Sequence, residues 1–281
     1  MGLINDLNYN FNNLNILQKI IVLMIICFIV PFFINTIFFL FELKQISLIK
    51  LFDISPDFFD LLYKPWSLIT YAFFHADLWH LAGNMIILYL SGSIVLDLFG
   101  KERFLKIFVL GIFFGGLTYL VSYNLFPVFN NTKSSMIGAS AGVMAVFIFL
   151  SSYNPDLKIR LFFIDVRIIY IAIFLIILDV IQIPSGNSGG HLAHLGGAFI
   201  GYFYNNKIAK GEDFADWIIK FYNFLFLKRK NNKLYKKPSQ KKYRKSNNQK
   251  EIDSILDKIS KSGYDSLTKH EKETLFKAGK K

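Results

Sequence analysis

Apolar residues along this chain come in six runs: Ile20 to Phe41, Leu78 to Phe99, Phe104 to Phe126, Met136 to Tyr153, Ile168 to Ile183 and His191 to Tyr204. A bilayer core takes about 17 to 25 predominantly apolar residues as a helix. The pattern therefore predicts an all-α, polytopic membrane protein with six transmembrane helices, some of them short. The last run is the least apolar, because it holds Gly and His. Pro31 and Asn35 fall inside the first, where neighbouring helices can re-satisfy the backbone. A short polar segment, residues 1–19, precedes the block. No small-residue cleavage site follows the first apolar centre, so that run reads as retained. The long connection from Glu42 to Asp77 carries Pro56, Phe58, Phe59, Pro65 and Trp66, a composition suited to lying half in a bilayer.

Composition agrees with the pattern. Of 281 residues, 53% are hydrophobic and 31 are Phe, more apolar surface than a soluble domain of this length can hide. Cys27 is alone, which excludes a disulfide framework within the chain. Charge marks the main boundary: 21 of the 32 Lys and Arg but only 9 of the 20 Asp and Glu lie from Asn205 onward, so residues 1–204 are balanced. The whole net charge of +12 belongs to the tail. Residues 205–250, with Lys228-Arg229-Lys230 and Lys241-Lys242-Tyr243-Arg244-Lys245, read as a flexible basic linker, a positive-inside tether rather than a lipid or nucleic-acid reader. Over 251–281, Ile252, Ile255, Leu256 and Ile259 recur at helical spacing, Ser262-Gly263 breaks the pattern, and Ser266 to Ala278 forms a second short helix. Nothing in this tail names a partner.

The positive-inside bias orients the block. Lys101, Arg103, Lys158, Arg160 and Arg167 fall on the side of the basic tail, which places both termini in the cytoplasm and predicts a multi-pass protein of the bacterial cytoplasmic membrane. Spans two, four and six then run inward from the outer face. His80, Asn84, Ser140 and His194 all lie near the beginnings of those spans, at one depth. Taken singly, a serine in a membrane helix usually bonds back to its own helix, and a histidine near a span end is often interfacial. Taken together they are functional candidates, because an ionisable group at membrane depth costs roughly 2 to 3 kcal/mol.

Spacing sharpens the group. His80 and Asn84 are four apart, on one helix face. Gly197 and Gly201 form a GxxxG pair beneath His194, while Gly138, Ala141, Gly142 and Ala145 surround Ser140. Two such surfaces can pack closely enough to bring a hydroxyl to an imidazole. His191, three before His194, is either a cavity residue or, with His75, His80 and His194, part of a metal or haem site. No carboxylate or thiolate stands beside these histidines in the sequence, and no metal or cofactor is expected.

Three segments in order, His75-Ala76-Asp77-Leu78-Trp79-His80-Leu81-Ala82-Gly83-Asn84, Gly138-Ala139-Ser140-Ala141 and Ala193-His194-Leu195-Gly196-Gly197 with Gly201, resemble the rhomboid family of intramembrane serine proteases. The resemblance covers the block to about Tyr204. It implies that Ser140 attacks a peptide carbonyl, that His194 serves as base in a dyad without an acidic third member, and that His80, Asn84 and the Ser140 N–H hold the oxyanion. It also implies transmembrane protein substrates, membrane lipids as surroundings and an active site near the outer face. A non-catalytic, rhomboid-like binder of membrane helices is the alternative. Some positions depart from the family pattern. Ser67 follows Trp66 where many members carry Arg, Leu96 replaces a frequent Glu with Asp97 beside it, Ala141 replaces a frequent Gly, and Met144 stands where an aromatic ring often stacks on the histidine.

Overall fold

The computed structural model describes residues 11, 13–44, 47–130, 132, 134–161, 163–226 and 247–279. They form two compact units, one ending at Leu225 and one beginning at Phe226. The first unit is a bundle of long helices. α1, Ile16–Leu40, opens with a capping box in which Asn15 and Gln18 each accept the other's backbone N–H, at 2.9 and 3.0 Å. Its buried residues, Leu17, Ile20, Met24 and Pro31, form one stripe, and most of its other apolar side chains face outward as lipid contact requires. The stripe packs at Gly92, where a side chain would collide with Leu17 and Phe104.

The connection that follows contains two short helices, α2 (Phe58–Tyr63) and α3 (Ser67–Thr70). α4, Leu78–Leu125, is 48 residues long and merges the second and third predicted runs. Gly100 interrupts it at φ 77°, ψ 172°, a conformation disfavoured for a residue with a Cβ, so the chain turns there into a second arm. α5, Ser140–Tyr153, is the central helix, with every residue from Ala141 to Ser151 buried. α6, Ile168–Gln182, is the reverse: only Ile168, Ala172 and Asp179 are buried. α7, Ser188–Ala209, returns through the centre against α4 and α5. A two-stranded antiparallel hairpin, β1 (Lys158–Leu161) and β2 (Ile164–Arg167), joins α5 to α6 with Lys158 opposite Arg167.

By length and composition, α1, α4 and the run Ile168–Ser185 are long and apolar enough to cross a membrane. α5 is apolar but only 14 residues, a rise of about 21 Å against a core of about 30 Å. The result is a mostly helical membrane fold. The count of six spans rests on the sequence pattern, with α5 as its short member and α7, 22 residues long, as its less apolar one.

The predicted flexible linker, 205–250, is corrected at its start. α7 continues to Ala209, and α8 occupies Asp216–Phe226. Asp213 accepts hydrogen bonds from Lys106 at 2.7 Å, Arg103 at 3.0 Å and Tyr204 Oη at 2.8 Å, and Lys106 also pairs with Asp216. Net charge concealed this, because the two acids that fasten the segment are outnumbered by its lysines. The predicted basic clusters at 228–230 and 241–245 lie outside the described residues. In the second unit, α9 (Asn247–Ser262) ends at Gly263, φ 76°, and α10 (Lys269–Gly279) follows. Thr268 and Glu271 cap α10 reciprocally, Lys258 holds Glu271 at 2.9 Å, and Ile255 and Leu267 are buried.

Candidate active site

The site begins with a helix cap. Asp77 accepts the His80 N–H at 2.9 Å, which starts α4 and sets His80 in its first turn. One turn later the Asn84 amide donates to the His80 carbonyl at 2.9 Å and keeps a second N–H for other partners. The strand-like segment before α5 is pinned from below. Ile54 and Met136 form a backbone bridge, Gly138 donates to the Tyr71 carbonyl at 3.0 Å, and Tyr71 Oη donates to the Ile112 carbonyl at 2.8 Å.

Gly138 is required twice over. Its φ is +125°, and a Cβ there would lie 2.6 Å from His80 Cε1 and 2.8 Å from Nε2. The His80 imidazole therefore lies directly over the backbone that leads into Ser140. The ring of His75 stands edge-on to His80 at 5.1 Å, and its Nε2 accepts the Ala139 N–H at 3.4 Å. Burial, and then the neighbouring His80, lower the His75 pKa to about 4, so it is a neutral brace at ordinary pH. The helical ladder of α5 starts with Val143 N–H to the Ala139 carbonyl at 3.0 Å. Ser140, at the first helical position, keeps its own N–H outside that ladder.

Glycines set how close α7 comes. A Cβ on Gly197 would fall 2.1 Å from the Ala141 carbonyl oxygen, and one on Gly201 would fall 2.3 Å from that of Ala145. Gly115 of α4 has the same relation to Ala141, at 2.3 Å from its Cβ, and Gly142 would meet Phe108. Backbones of α4, α5 and α7 thus touch, as small residues in membrane helices allow. Above this seam opens a cavity of about 520 Å³ whose lining includes Trp79, His80, Asn84, Ser140, Asn187 and His194. The four polar residues picked out by depth in the sequence border one space. Met144 is buried one turn below Ser140. Trp66 lies outside the lining and fastens the loop instead: its indole donates to the Leu51 carbonyl at 2.8 Å, beside Lys64 to Asp53 at 3.2 Å and Thr70 to Phe52 at 3.1 Å. These bonds anchor the loop where many members use Arg.

One expectation fails. His194 does have a carboxylate partner: Asp179 Oδ1 lies 2.8 Å from His194 Nδ1 and 2.8 Å from His191 Nδ1. Among the described residues the ring contact to His194 comes from His191, edge-on at 5.8 Å, while Met144 occupies the position where many family members carry an aromatic ring. The missed signal was an acidic residue in an otherwise apolar run. Such a group wants an inward partner, and α6 and α7 are antiparallel neighbours, so the end of one meets the start of the other.

A rhomboid domain model matches residues 63–210, slightly more than half of the chain and the whole of this cavity. The chain belongs to the rhomboid family. Among its relatives are RHOMBOID-like protein 12, mitochondrial, of Arabidopsis thaliana, 33% identical over 52% of this chain and 47% of that protein, and Rhomboid-related protein 1 of Caenorhabditis elegans, 35% identical over 50% and 39%. The presenilin-associated rhomboid-like protein, mitochondrial, of Mus musculus is 27% identical over 57% and 42%. This rhomboid thus matches less than half the length of each. A family of unknown function, DUF6576, matches residues 239–281.

These relatives correct the expected location in a bacterial cytoplasmic membrane, since those named as mitochondrial are proteins of eukaryotes. The physical reason for the error is plain. A Lys and Arg bias ranks the two sides of a membrane and carries no information about which membrane it is.

Proposed function

We propose that this rhomboid is a serine endopeptidase that cuts peptide bonds in or near transmembrane segments of other membrane proteins. The observation that carries the reading is the shared cavity of Ser140, His194, His80 and Asn84, formed where three helices begin and closed below by the glycine seam. Ser140 Oγ attacks the scissile carbonyl while His194 Nε2 takes its proton, and the same nitrogen then protonates the leaving amine. The oxyanion is received by His80, Asn84 and the Ser140 N–H. In a dry recess one such donor is worth about 2.7 to 4 kcal/mol. Water must enter to release the acyl-enzyme, and a cavity at the helix ends supplies the route. Substrates with small, weakly helical segments fit best, because a stable helix hides its amides.

The test is cleavage of a single-span reporter in liposomes by wild type, Ser140→Ala and His194→Ala. Both substitutions are expected to abolish cutting; retained cutting by Ser140→Ala removes the serine mechanism. Covalent labelling of Ser140 by a fluorophosphonate separates an enzyme from a silent helix-binding relative, which leaves the serine unlabelled.

A further inference from the structure

We infer that Asp179 is a positioning residue for this reaction, and that it holds His194 in its reactive tautomer through one carboxylate oxygen shared with His191. The inference rests on the Ser140 and His194 reading and goes beyond it in adding a fourth helix, α6, to the chemistry.

The placement of Asp179 is specific. Its neighbours on α6, Ile177, Val180 and Ile181, are 52, 52 and 64% exposed, whereas Asp179 is 7% exposed. The one acidic side chain of the helix is therefore turned onto α7 while the apolar ones face outward. There it meets two imidazoles three residues apart, on one face of α7, both through Nδ1 and both at 2.8 Å.

Tautomer follows from that geometry. An ionised carboxylate only accepts hydrogen bonds, so Nδ1 of each histidine carries the hydrogen. Neutral His194 is then left with an unprotonated Nε2, the form able to take the Ser140 proton. When it does, the imidazolium forms next to a carboxylate and is stabilised without the proton moving on to Asp179. His191 donates to the same oxygen and keeps the Asp179 side chain from turning away. Among the described residues the titratable groups beside His194 are Asp179 from α6, His191 from α7 and His80 from α4; Asp77 and Ser140 line the same cavity.

A metal is the rival occupant of this trio, since the three ligand atoms lie within 4.8 Å of one another. Hydrogen bonding fits the distances better. Ligands on a tetrahedral ion with bonds of about 2.0 to 2.1 Å stand about 3.3 Å apart, whereas both nitrogens here are at 2.8 Å from the oxygen.

The experiment uses the full chain in liposomes with the single-span reporter, measuring kcat and KM separately for Asp179→Asn, Asp179→Glu and His191→Ala. In Asp179→Asn the amide can present either its carbonyl or its N–H to Nδ1, so His194 loses both its fixed tautomer and the negative charge beside its imidazolium. The kcat of this variant is expected to fall by about 100-fold or more, with KM nearly unchanged. Asp179→Glu should recover part of the rate, and His191→Ala should lose about tenfold. Should Asp179→Asn not fold, His191→Ala carries the test, and a wild-type rate in it overturns the proposal. Asp179→Asn with wild-type kcat also overturns it, while an inactive Ser140→Ala leaves the protease reading standing. Loss of wild-type activity to a chelator, regained with zinc, overturns it by assigning the trio to a metal.

Discussion

Each end of the bundle is tied by an aspartate that accepts more than one hydrogen bond from another helix, and the two differ in what donates. Asp213 takes Arg103, Lys106 and Tyr204. Asp179 takes two imidazoles. Arginine and lysine stay charged throughout the physiological range, so the first arrangement is a fixed clamp. Histidine is the side chain suited to taking up and returning a proton near neutrality, which fits the second arrangement to the proposed proton transfer. Similar carboxylate geometry thus fastens helices in one place and, in the proposed reaction, holds a base in the other, according to the chemistry of the partner.

If that contrast is right, substitutions at the cavity cost activity and spare stability, and those at the clamp do the opposite. The largest effect belongs to Ser140→Ala, expected to lower reporter cleavage on the order of 10⁴-fold or more with an unchanged melting curve in detergent. Asn84→Ala follows, with kcat down by about 10² to 10³, measured at saturating reporter; a change confined to KM would move Asn84 from the oxyanion to substrate binding.

Lys106→Met tests the other end. It removes one of the three side chains that donate to Asp213 and the lysine paired with Asp216, and is expected to cost about 1 to 3 kcal/mol in denaturant unfolding, with kcat of the folded fraction within about twofold of wild type. Gly197→Ala tests what joins the two ends. A methyl group 2.1 Å from the Ala141 carbonyl must separate α5 from α7, at about 1 to 3 kcal/mol of stability, and it should lower kcat as well because Ser140 and His194 ride on those helices.

The smallest effect is with pH. Partial burial pushes the Asp213 carboxyl up, but hydrogen bonds from Lys106 and Tyr204 outweigh it and hold the pKa below its ordinary value. A depressed carboxylate pKa adds stability that is present above the unfolded value, about 3.9, and is lost as pH falls through the folded one. Wild type should therefore lose melting temperature below about pH 4, with a shallower slope in Asp213→Asn.

Much of this was legible along the chain. The apolar runs foresaw the helices, and depth alone picked His80, Asn84, Ser140 and His194 from among all polar residues, because three helices pointing one way bring their first turns to one level. GxxxG spacing foresaw the seam. Asp179 was not legible as a partner of His194, since that depends on the rotation of α6 about its own axis, and an apolar run of nearly uniform hydropathy does not specify rotation. The fastening of residues 205–226 was hidden for another reason: Asp213 and Asp216 act through Lys106, more than a hundred positions earlier, and a charge count has no distance in it.

The order of residues alone determined that this protein is a helical membrane bundle and which hydroxyl and imidazole border its cavity, because span length, helical period and chain direction are local properties. Only tertiary packing decided that His194 has an acidic neighbour, that His191 shares it and that a second aspartate ties the far end, because hydrogen bonds between helices follow from their mutual rotation and approach. Those are set by which glycines let backbones touch, a property of pairs of surfaces.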